Sequence, residues 1–178
     1  MEENHLLTLI KPGKEYLESF LTLCRESFHS VHNTYLLRDP ERFEEWKNSL
    51  FIRYEKDEQG IELPENFLPS VTFWVLYGEE VAGVVNIRKG LNDALKDYGG
   101  NAGFMLSSRF RGKKLSHILI PLVIAKTKEV GAGGEVLMTC TDNNIPSLSA
   151  LKKIPAKKVE RAITWADGKY CPVHRFYF

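Results

Sequence analysis

The sequence predicts a single α/β domain in which helices flank a mixed β-sheet. Hydrophobic residues make up 43% of the 178 residues, which is enough for one compact domain with a sizeable core. Apolar residues recur with helical spacing in some segments and form short β-rich runs in others. These segments follow the order β-α-α-β-β-β-α-β-α-β-β, without internal repeats or low-complexity stretches.

The N-terminal part of the chain predicts a strand and two helices. Residues 6–10 alternate weakly in polarity, as an edge strand does, and Lys11-Pro12-Gly13 forms a turn. Apolar stripes predict helices over residues 15–28 and 42–51, and Pro12 suits the start of the first because early helical positions need no amide hydrogen. The polar residues 57–70, which include two prolines, predict a loop.

The middle of the chain predicts a β-hairpin and a polar connection. Two β-rich runs, residues 71–77 and 81–88, are joined by Gly78-Glu79-Glu80, which is a hairpin signal. Gly83, inside the second run, indicates a bulge or a close approach of another backbone. Residues 89–100 are mostly polar and predict a connection without regular structure.

The C-terminal half predicts alternating strands and helices. A helical pattern that starts at Leu115 contains Pro121, which removes one backbone hydrogen bond, so we expect a kink or an irregular first turn. Asp142 or Asn143 is placed to cap a later helix, which Pro155 ends. The elements predicted here are strands 104–106 and 135–140, helices 115–130 and 144–154, and a final hairpin of residues 158–165 and 170–178.

Charge and composition argue against several classes of protein. The chain carries 24 basic and 23 acidic residues, a net charge of +1, so we expect neither nucleic acid nor a membrane surface as partner. Residues 1–5 are acidic and polar, unlike a signal peptide, and no apolar run reaches the length that a bilayer requires. We therefore expect a cytoplasmic protein.

The three cysteines do not suggest a metal or redox site. Cys24, Cys140 and Cys171 lie far apart, without the spacing of metal ligands, and predict free thiols in a reducing compartment. Cys140 ends the strand predicted over residues 135–140, so a nucleophilic role is the alternative, although no base is suggested beside it. No metal is predicted.

A short apolar strand, a basic turn and a helix start follow one another over residues 104–116. The first amides of a helix lack internal partners and its N-terminus is partially positive, so this arrangement suits a phosphate. Gly112 lets the backbone approach an anion closely. The upstream Gly of a nucleotide-binding P-loop is missing, which makes a nucleotide the weaker alternative. The cations of the turn are Arg109, Arg111, Lys113 and Lys114.

Three segments of the chain resemble the GNAT N-acetyltransferases. Within that family, a little-characterised bacterial branch of predicted acetyltransferases is similar in the run Leu68-Pro-Ser70, Asn86-Ile-Arg88, Leu91-Asn-Asp93 and Gly99-Gly100. Gly99-Gly-Asn-Ala-Gly-Phe-Met-Leu106 is similar to the fourth strand of that family. Arg111-Gly-Lys-Lys-Leu-Ser116 resembles its pyrophosphate loop, Arg/Gln-x-x-Gly-x-Gly/Ala. Asp142-Asn-Asn-Ile-Pro-Ser147 is similar to the Asn-x-x-Ser/Ala segment that follows its fifth strand. The motifs of the resemblance lie within residues 72–178.

The pyrophosphate loop departs from the family pattern. With Arg111 in first place, Lys114 stands where the family has Gly and Ser116 where it has Gly or Ala. A Lys whose backbone faces a pyrophosphate either crowds the ligand with its Cβ or requires a conformation that only Gly adopts cheaply. The alternative register starts at Arg109, with Gly112 in fourth place, and also breaks the motif once.

The resemblance implies a mostly antiparallel sheet with splayed central strands, and acetyl-coenzyme A (acetyl-CoA) as co-substrate. Residues 1–70 would wall the acceptor site, and residues 71–178 would form the cofactor-binding core. The acceptor would be a primary amine of a small molecule or a peptide. Backbone groups of strand 104–106 would pair with the pantetheine and polarise the thioester carbonyl. The implied cofactor-binding residues are Phe104, Met105, Leu106, Arg111, Gly112, Lys113, Lys114, Leu115, Ser116, Asn144 and Ser147.

The resemblance does not identify the acid or the base. Many family members use a Tyr seven residues after the Asn that matches Asn144, and here that position is Leu151. Helix capping is the equal alternative for Asn144 and Ser147, and turns or solvated side chains are the alternative for the rest. The acid-base candidates are Asp93, Tyr98, His117 and Glu79; the acceptor-pocket candidates are Arg88, Asn92 and Asp93; and His29, His32, Tyr35 and Arg38 are candidates from the N-terminal region.

Two functions from different classes remain open at this point. The first is an N-acetyltransferase. The second is a GNAT-fold module that binds CoA or another anion without transferring a group. The residues that favour the second are Lys114, Pro121, Leu151 and Pro155. The family resemblance also makes a homodimer an expectation.

Overall fold

The structure, a computed structural model, describes residues 7–27, 43–131, 134–166 and 168–178. Its contacts divide the chain into two compact units that alternate along the sequence. The first unit comprises the described residues up to Leu63, together with Ser70–Asn86 and Phe104–Leu115. The second comprises Pro64–Pro69, Ile87–Gly103 and the described residues from Ser116 to Phe178.

The first unit starts with a short strand and two helices. Strand β1 (Leu7–Ile10) pairs antiparallel with β2 (Ser70–Tyr77), with Leu7 opposite Tyr77. Between them lie α1 (Leu17–Ser27), which follows a short 3-10 turn, and α2 (Phe43–Gln59).

Trp74 on β2 lies at the centre of the core of the first unit. Its side chain is fully buried, and Phe20 of α1 stacks on it with ring centroids 4.5 Å apart. Leu50 of α2 joins the same apolar cluster. The amide of Val81 donates to the Ser19 hydroxyl at 2.8 Å, which ties α1 to the start of the next strand.

The hairpin that follows β2 is the one predicted. It joins β2 to β3 (Glu80–Arg88), and β4 (Ala102–Leu106) completes a sheet of order β1-β2-β3-β4 among the described residues. Gly83 marks a close approach, as expected: a Cβ there would lie 2.1 Å from the carbonyl oxygen of Met105 on β4. No side chain larger than hydrogen fits at this position without displacing one of the strands.

The second unit contains a short helix, two longer helices and an antiparallel sheet. Among its described residues the sheet has the order β5-β7-β6, and Cys140 and Arg161 lie opposite His174 from either side. Its buried apolar side chains include Leu119, Ile120, Leu148, Leu151, Val173 and Phe176. The elements are α3 (Asp93–Asp97), α4 (Ser116–Glu129), β5 (Leu137–Thr141), α5 (Ile145–Leu151), β6 (Lys158–Ala166) and β7 (Lys169–Tyr177).

The predicted fold class, helices flanking a mostly antiparallel sheet, is confirmed, with the strands divided between two sheets. Helix α2 is longer than predicted: it continues past Phe51 to Gln59, into the predicted loop. The partly buried Tyr54 extends its apolar side by one turn, and an ion pair between Arg53 and Asp57, 2.8 Å, lies on the exposed side. Ion pairs at this spacing support a helix that hydrophobic periodicity alone does not predict.

Three further predictions about helices need correction. Helix α3 lies inside the predicted polar connection and is too short for a periodic pattern. Helix α4 begins at Ser116 and is continuous through the exposed Pro121, so its first turn is not irregular, while a kink at Pro121 stays a prediction. Helix α5 ends at Leu151, well before Pro155, and its cap is not Asp142 or Asn143. No helix in the described ranges is long and apolar enough to cross a bilayer.

Candidate functional site

The basic loop, residues Ser107–Leu115, follows β4 in the first unit. Its first residue is fixed to the sheet, because the amide of Ser107 donates to the carbonyl of Ala82 at 2.9 Å. The Ser107 hydroxyl in turn accepts from the amide of Arg109 at 3.3 Å, at the start of a 3-10 turn. This turn buries Phe110, whose ring lies 5.6 Å from that of Tyr77. The loop therefore leaves the sheet from an anchored position.

Two residues of the basic loop have a left-handed backbone. The φ angle is 75° at Gly112 and 57° at Lys114, whereas Lys113 between them has no positive φ. Successive residues with φ of opposite sign are typical of backbone concavities that bind anions. Gly adopts this conformation freely, but a residue with a Cβ does so at a cost of about 1–2 kcal/mol. The demanding backbone conformation foreseen for Lys114 is therefore observed, and whether its side chain crowds a ligand stays a prediction.

The guanidinium of Arg109 is paired with two carboxylates of the chain. Its guanidinium forms an ion pair with Glu80 and another, at 3.4 Å, with Glu26 of α1. Glu26 also accepts a hydrogen bond from the Ser107 hydroxyl at 3.3 Å. Two carboxylates thus neutralise this cation, which favours the motif register that starts at Arg111.

The remaining cations of the basic loop differ in their surroundings. The Nε of Arg111 donates to the carbonyl of Leu106 at 3.4 Å. The Nζ of Lys113 lies over the ring of Phe110, 5.4 Å from its centroid. Lys114 is exposed, and within the described part of the chain its side chain has no hydrogen bond or ion pair.

Strand β4 has the properties expected of a strand that pairs with an extended ligand. Met105 is buried, while Phe104 and Leu106 are half-buried on the opposite face. In the strand order, β4 ends the four-stranded sheet formed by the described residues. One edge of the strand therefore presents backbone groups that this sheet does not use.

In the second unit, three polar side chains hold the segment that leads into β4. The side-chain oxygen of the buried Asn101 accepts from the backbone amide of Leu137 at 2.8 Å. The backbone amide of Asn101 donates to the carbonyl of Leu137 at 2.7 Å. The Thr139 hydroxyl accepts from the amide of Gly99 at 2.8 Å. Arg88 completes the set, and the group is called here the strand clamp: Arg88, Gly99, Asn101, Leu137 and Thr139.

Arg88 was predicted as an acceptor-pocket residue, and its guanidinium has structural partners. Nη1 donates to the carbonyls of Gly99 at 2.9 Å and Gly100 at 3.2 Å. Both glycines have positive φ, so the arginine stabilises a turn of unusual backbone conformation. Sequence reasoning identified the residue but not this role, because the glycine carbonyls carry no pattern.

Asn92 and Asp93 also have local partners. Asn92 caps α3: its side-chain oxygen accepts from the amide of Leu95 at 2.9 Å, and its amide nitrogen donates to the carbonyl of Asn66 at 2.8 Å. Asp93 lies in an ion pair with Lys96 at 3.0 Å, and its side chain is 98% exposed. This arrangement corresponds to the turn-chemistry alternative that the sequence left open.

The other acid-base candidates fall on separate elements. Tyr98 is half-buried at the end of α3, where its amide donates to the carbonyl of Ala94 at 2.8 Å. His117 is half-buried in the first turn of α4, and Glu79 is exposed in the hairpin turn. The structure does not bring these three side chains together with one another in any described contact. The N-terminal candidates His29, His32, Tyr35 and Arg38 lie outside the described residues.

Asn144 is the N-cap of α5, a role that the sequence analysis kept open for it. Its side-chain oxygen accepts from the amide of Ser147 at 3.4 Å. Its amide NH₂ group has no hydrogen-bond partner among the described residues. One half of the side chain therefore serves the helix and the other half remains a donor for a ligand.

Cys140 has the surroundings of a structural thiol. It is 3% exposed, and burial raises the pKa of its thiol despite a hydrogen bond with Ser147, which lowers it. A buried thiol with a raised pKa carries little thiolate at neutral pH. The prediction of a structural thiol is therefore the better supported one, and Ser147 has a partner within the chain.

Asp142, Arg161 and His174 form a charged cluster in the second unit that sequence reasoning missed. Asp142 accepts from Nη2 of Arg161 at 2.6 Å, and its other oxygen lies 2.7 Å from Nε2 of His174. The hydrogen bond from Arg161 is the largest cause that holds the pKa of Asp142 below its usual value, with a smaller contribution from His174. The register of the β6–β7 hairpin could have revealed part of this cluster, because it places Arg161 opposite His174.

Comparisons with known proteins agree with this arrangement of elements. The sequence model of the acetyltransferase (GNAT) family matches residues 18–154. No sequence of a curated protein matches the chain significantly. Many solved structures share the fold, and three of them serve as examples.

The first is the microcin C7 self-immunity acetyltransferase in complex with acetyl-CoA and AMP, with 16% identity over 98% of this chain and 93% of that one, and a TM-score of 0.63. The second, from Salmonella typhimurium, modifies the N-terminal serine of ribosomal protein L7/L12, with 12% identity, coverages of 97% and 94%, and a TM-score of 0.61. The third is a chimera of the Vibrio cholerae spermidine N-acetyltransferase, with 15% identity, coverages of 96% and 93%, and a TM-score of 0.58.

At these identities the likeness shows a common fold. Because the family model covers most of the sequence, the chain belongs to the GNAT family of acetyltransferases.

Proposed function

We propose that this protein transfers an acetyl group from acetyl-CoA to a primary amine of a small molecule or a peptide. The observation that carries the proposal is the basic loop, which has left-handed backbone at Gly112 and Lys114 directly before α4. Residues Arg111–Ser116 of this loop resemble the family's pyrophosphate loop, which supports the proposal. Membership of the GNAT family supports acetyl-CoA as the co-substrate.

The chain's own groups suit the parts of this co-substrate. The amides of residues Arg111 to Ser116 would hold the diphosphate, as loops before helices do. The outer edge of β4 would pair with the amides of the pantetheine arm, in the manner of an added strand. An amide of the same strand would donate to the thioester oxygen as negative charge develops there. The NH₂ group of Asn144 is a further donor.

The amine must lose a proton before its nitrogen attacks the thioester carbon, because its pKa is ~10.4 in water. Attack forms the C–N bond, and cleavage of the C–S bond releases a thiolate. The nitrogen loses a second proton as it becomes an amide, and this loss balances the proton that the thiolate takes up. At the position where the resemblance places the family's acid, this chain has Leu151, which is 1% exposed and has no proton to give. Tyr98 and His117, both half-buried, remain the candidates for proton transfer.

The buried Leu151 also favours a second candidate function. A GNAT-fold module that has lost transferase activity would retain the basic loop and bind CoA without turnover. We expect such a module to bind acetyl-CoA and to release no CoA thiol, whichever amine is added. Turnover therefore separates the two functions.

The test is calorimetric titration of the purified chain with acetyl-CoA, followed by an amine screen that measures thiol release. The relatives act on a peptide N-terminus and on spermidine, so the screen includes N-terminal peptides and polyamines. Micromolar binding with turnover supports the enzyme, and binding without turnover supports the module. A failure to bind acetyl-CoA refutes both. A homodimer and a cytoplasmic location stay predictions.

A further inference from the structure

Lys114 distinguishes this chain from the loop pattern of its family. It stands where the pattern has Gly, and it keeps the left-handed backbone that Gly adopts without strain, with φ of 57°. The residue at this place thus combines a left-handed backbone with a long charged side chain. Backbone strain at a loop position suggests that the added side chain contributes something that offsets it.

The cations of the basic loop differ in whether they have partners within the described chain. Arg109 is neutralised by Glu26 and Glu80, and Lys113 lies over the ring of Phe110. Lys114 is exposed and has no hydrogen bond or ion pair with any described residue. Of the lysines in the loop, it is the one whose ammonium group is not committed to a contact within the described chain.

We propose that the ammonium group of Lys114 binds the diphosphate of CoA directly and thereby determines the affinity of this chain for the cofactor. The inference rests on the proposed function. In the family pattern a Gly at this place supplies only its amide, whereas here a full positive charge stands on the same residue. An ammonium–phosphate contact is charge-assisted and stronger than a neutral hydrogen bond. The opposite hypothesis is that the side chain of Lys114 crowds the ligand, and the two predict changes of opposite sign.

The experiment measures the Kd of CoA by calorimetry for the wild type and four variants, at low and at physiological salt. Lys114→Gly removes the charge and restores the family pattern, and Lys114→Asn removes the charge but keeps a side chain that tolerates left-handed backbone. Lys114→Arg retains the charge. Lys128→Met, on the exposed surface near the end of α4, is the control for the loss of one positive charge elsewhere.

We expect Lys114→Gly and Lys114→Asn to weaken CoA binding about tenfold at low salt and less at high salt, because salt screens the contact. Lys114→Arg and Lys128→Met should stay within about twofold of the wild type. Dephospho-CoA, which keeps the diphosphate but lacks the 3′-phosphate, should show the same loss. Circular dichroism and thermal unfolding confirm that each variant is folded.

The other outcomes overturn the inference in distinguishable ways. Unchanged or tighter binding by Lys114→Gly would show that the side chain is neutral or crowds the ligand. A loss with CoA but not with dephospho-CoA would place the contact at the 3′-phosphate instead of the diphosphate. Absence of CoA binding by the wild type and all variants would refute the proposed function and the inference together.

Discussion

Lys114 has a left-handed backbone conformation, which is unfavourable for a residue with a Cβ. Replacing it by Gly removes the left-handed penalty but adds chain entropy to the unfolded state, so we expect a net gain of about 0.5 kcal/mol in the free energy of unfolding. Lys113, which has no positive φ, is the matched control, and Lys113→Gly should lose about 0.5–1 kcal/mol. Urea unfolding measures both variants. A loss of stability in Lys114→Gly would contradict the assigned backbone conformation.

Asn144 combines a structural acceptor and a donor on one side chain, so two substitutions separate them. Asn144→Ala removes the helix cap and should cost about 1 kcal/mol of stability, together with a loss of CoA affinity. Asn144→Ser keeps an oxygen that caps the amide of Ser147 but lacks the NH₂ group. We expect it to retain stability and to lose affinity.

Thermal unfolding and calorimetric titration with CoA measure these two properties on the same samples. If Asn144→Ser binds CoA as the wild type does, the amide donor has no role and Asn144 is a helix cap only. If Asn144→Ala loses no stability, the cap assignment is wrong.

At the scale of elements, the strand clamp connects the segment before β4 to β5 through side chains. Thr139→Val replaces the hydroxyl by a methyl group of the same shape and leaves the amide of Gly99 without its acceptor. An amide that loses its partner in a half-buried site should cost about 1–3 kcal/mol, and Thr139→Ser should recover most of this loss. Urea unfolding of the two variants is the measurement. Equal stability of the Val and Ser variants would show that the hydrogen bond is unimportant.

The sequence could predict those elements that depend on local signals, but not the contacts between distant residues. Both hairpins were predictable, because apolar alternation and turn residues are local signals, as at Gly78 and Gly168. The extension of α2 to Gln59 was not, because charged pairs stabilise its last turns where the apolar pattern fades. The hydrogen bonds of Asn101 and Thr139 join residues far apart in the chain, and no periodic pattern in the sequence predicts such contacts.

The candidate site shows the same division between local and distant information. The basic loop and the segment at Asn144 were found as motifs, because phosphate and amide recognition need residues close together in sequence. The partners of Arg88 and Arg109 were not predictable, since the first binds backbone carbonyls and the second binds Glu26 and Glu80 from other segments. The charges that remain available to a ligand therefore became visible only with the fold.

At the scale of the whole molecule, the family was predictable and the acceptor was not. The motifs that identify a GNAT protein are those of the cofactor shared by the family. The acceptor is specific to each member and is recognised by variable segments. Here the N-terminal candidates for that role, His29 to Arg38, lie outside the described residues. An amine screen is therefore the direct route to the substrate.

The response of the whole molecule to acid depends on the cluster around Asp142. Its folded-state pKa is held below 3.8 chiefly by the hydrogen bond from Arg161. A carboxyl with a lowered folded pKa stabilises the protein above its unfolded pKa, and the contribution is lost as pH falls through the folded value. The window of loss therefore lies below about pH 4, where the unfolded chain binds the proton more readily than the folded one.

We accordingly expect the free energy of unfolding of the wild type to fall more steeply below pH 4 than that of Asp142→Asn, with the two curves parallel between about pH 5 and 7. Urea unfolding at a series of pH values is the measurement. Glu129→Gln is the control, because Glu129 pairs with Lys126 on a helix surface and its side chain is 67% exposed. If Asp142→Asn and the wild type lose stability in parallel below pH 4, the cluster of Asp142, Arg161 and His174 does not stabilise the sheet in solution. A steeper loss in the wild type would show that this ion-paired carboxylate contributes to holding the β5–β7–β6 sheet together.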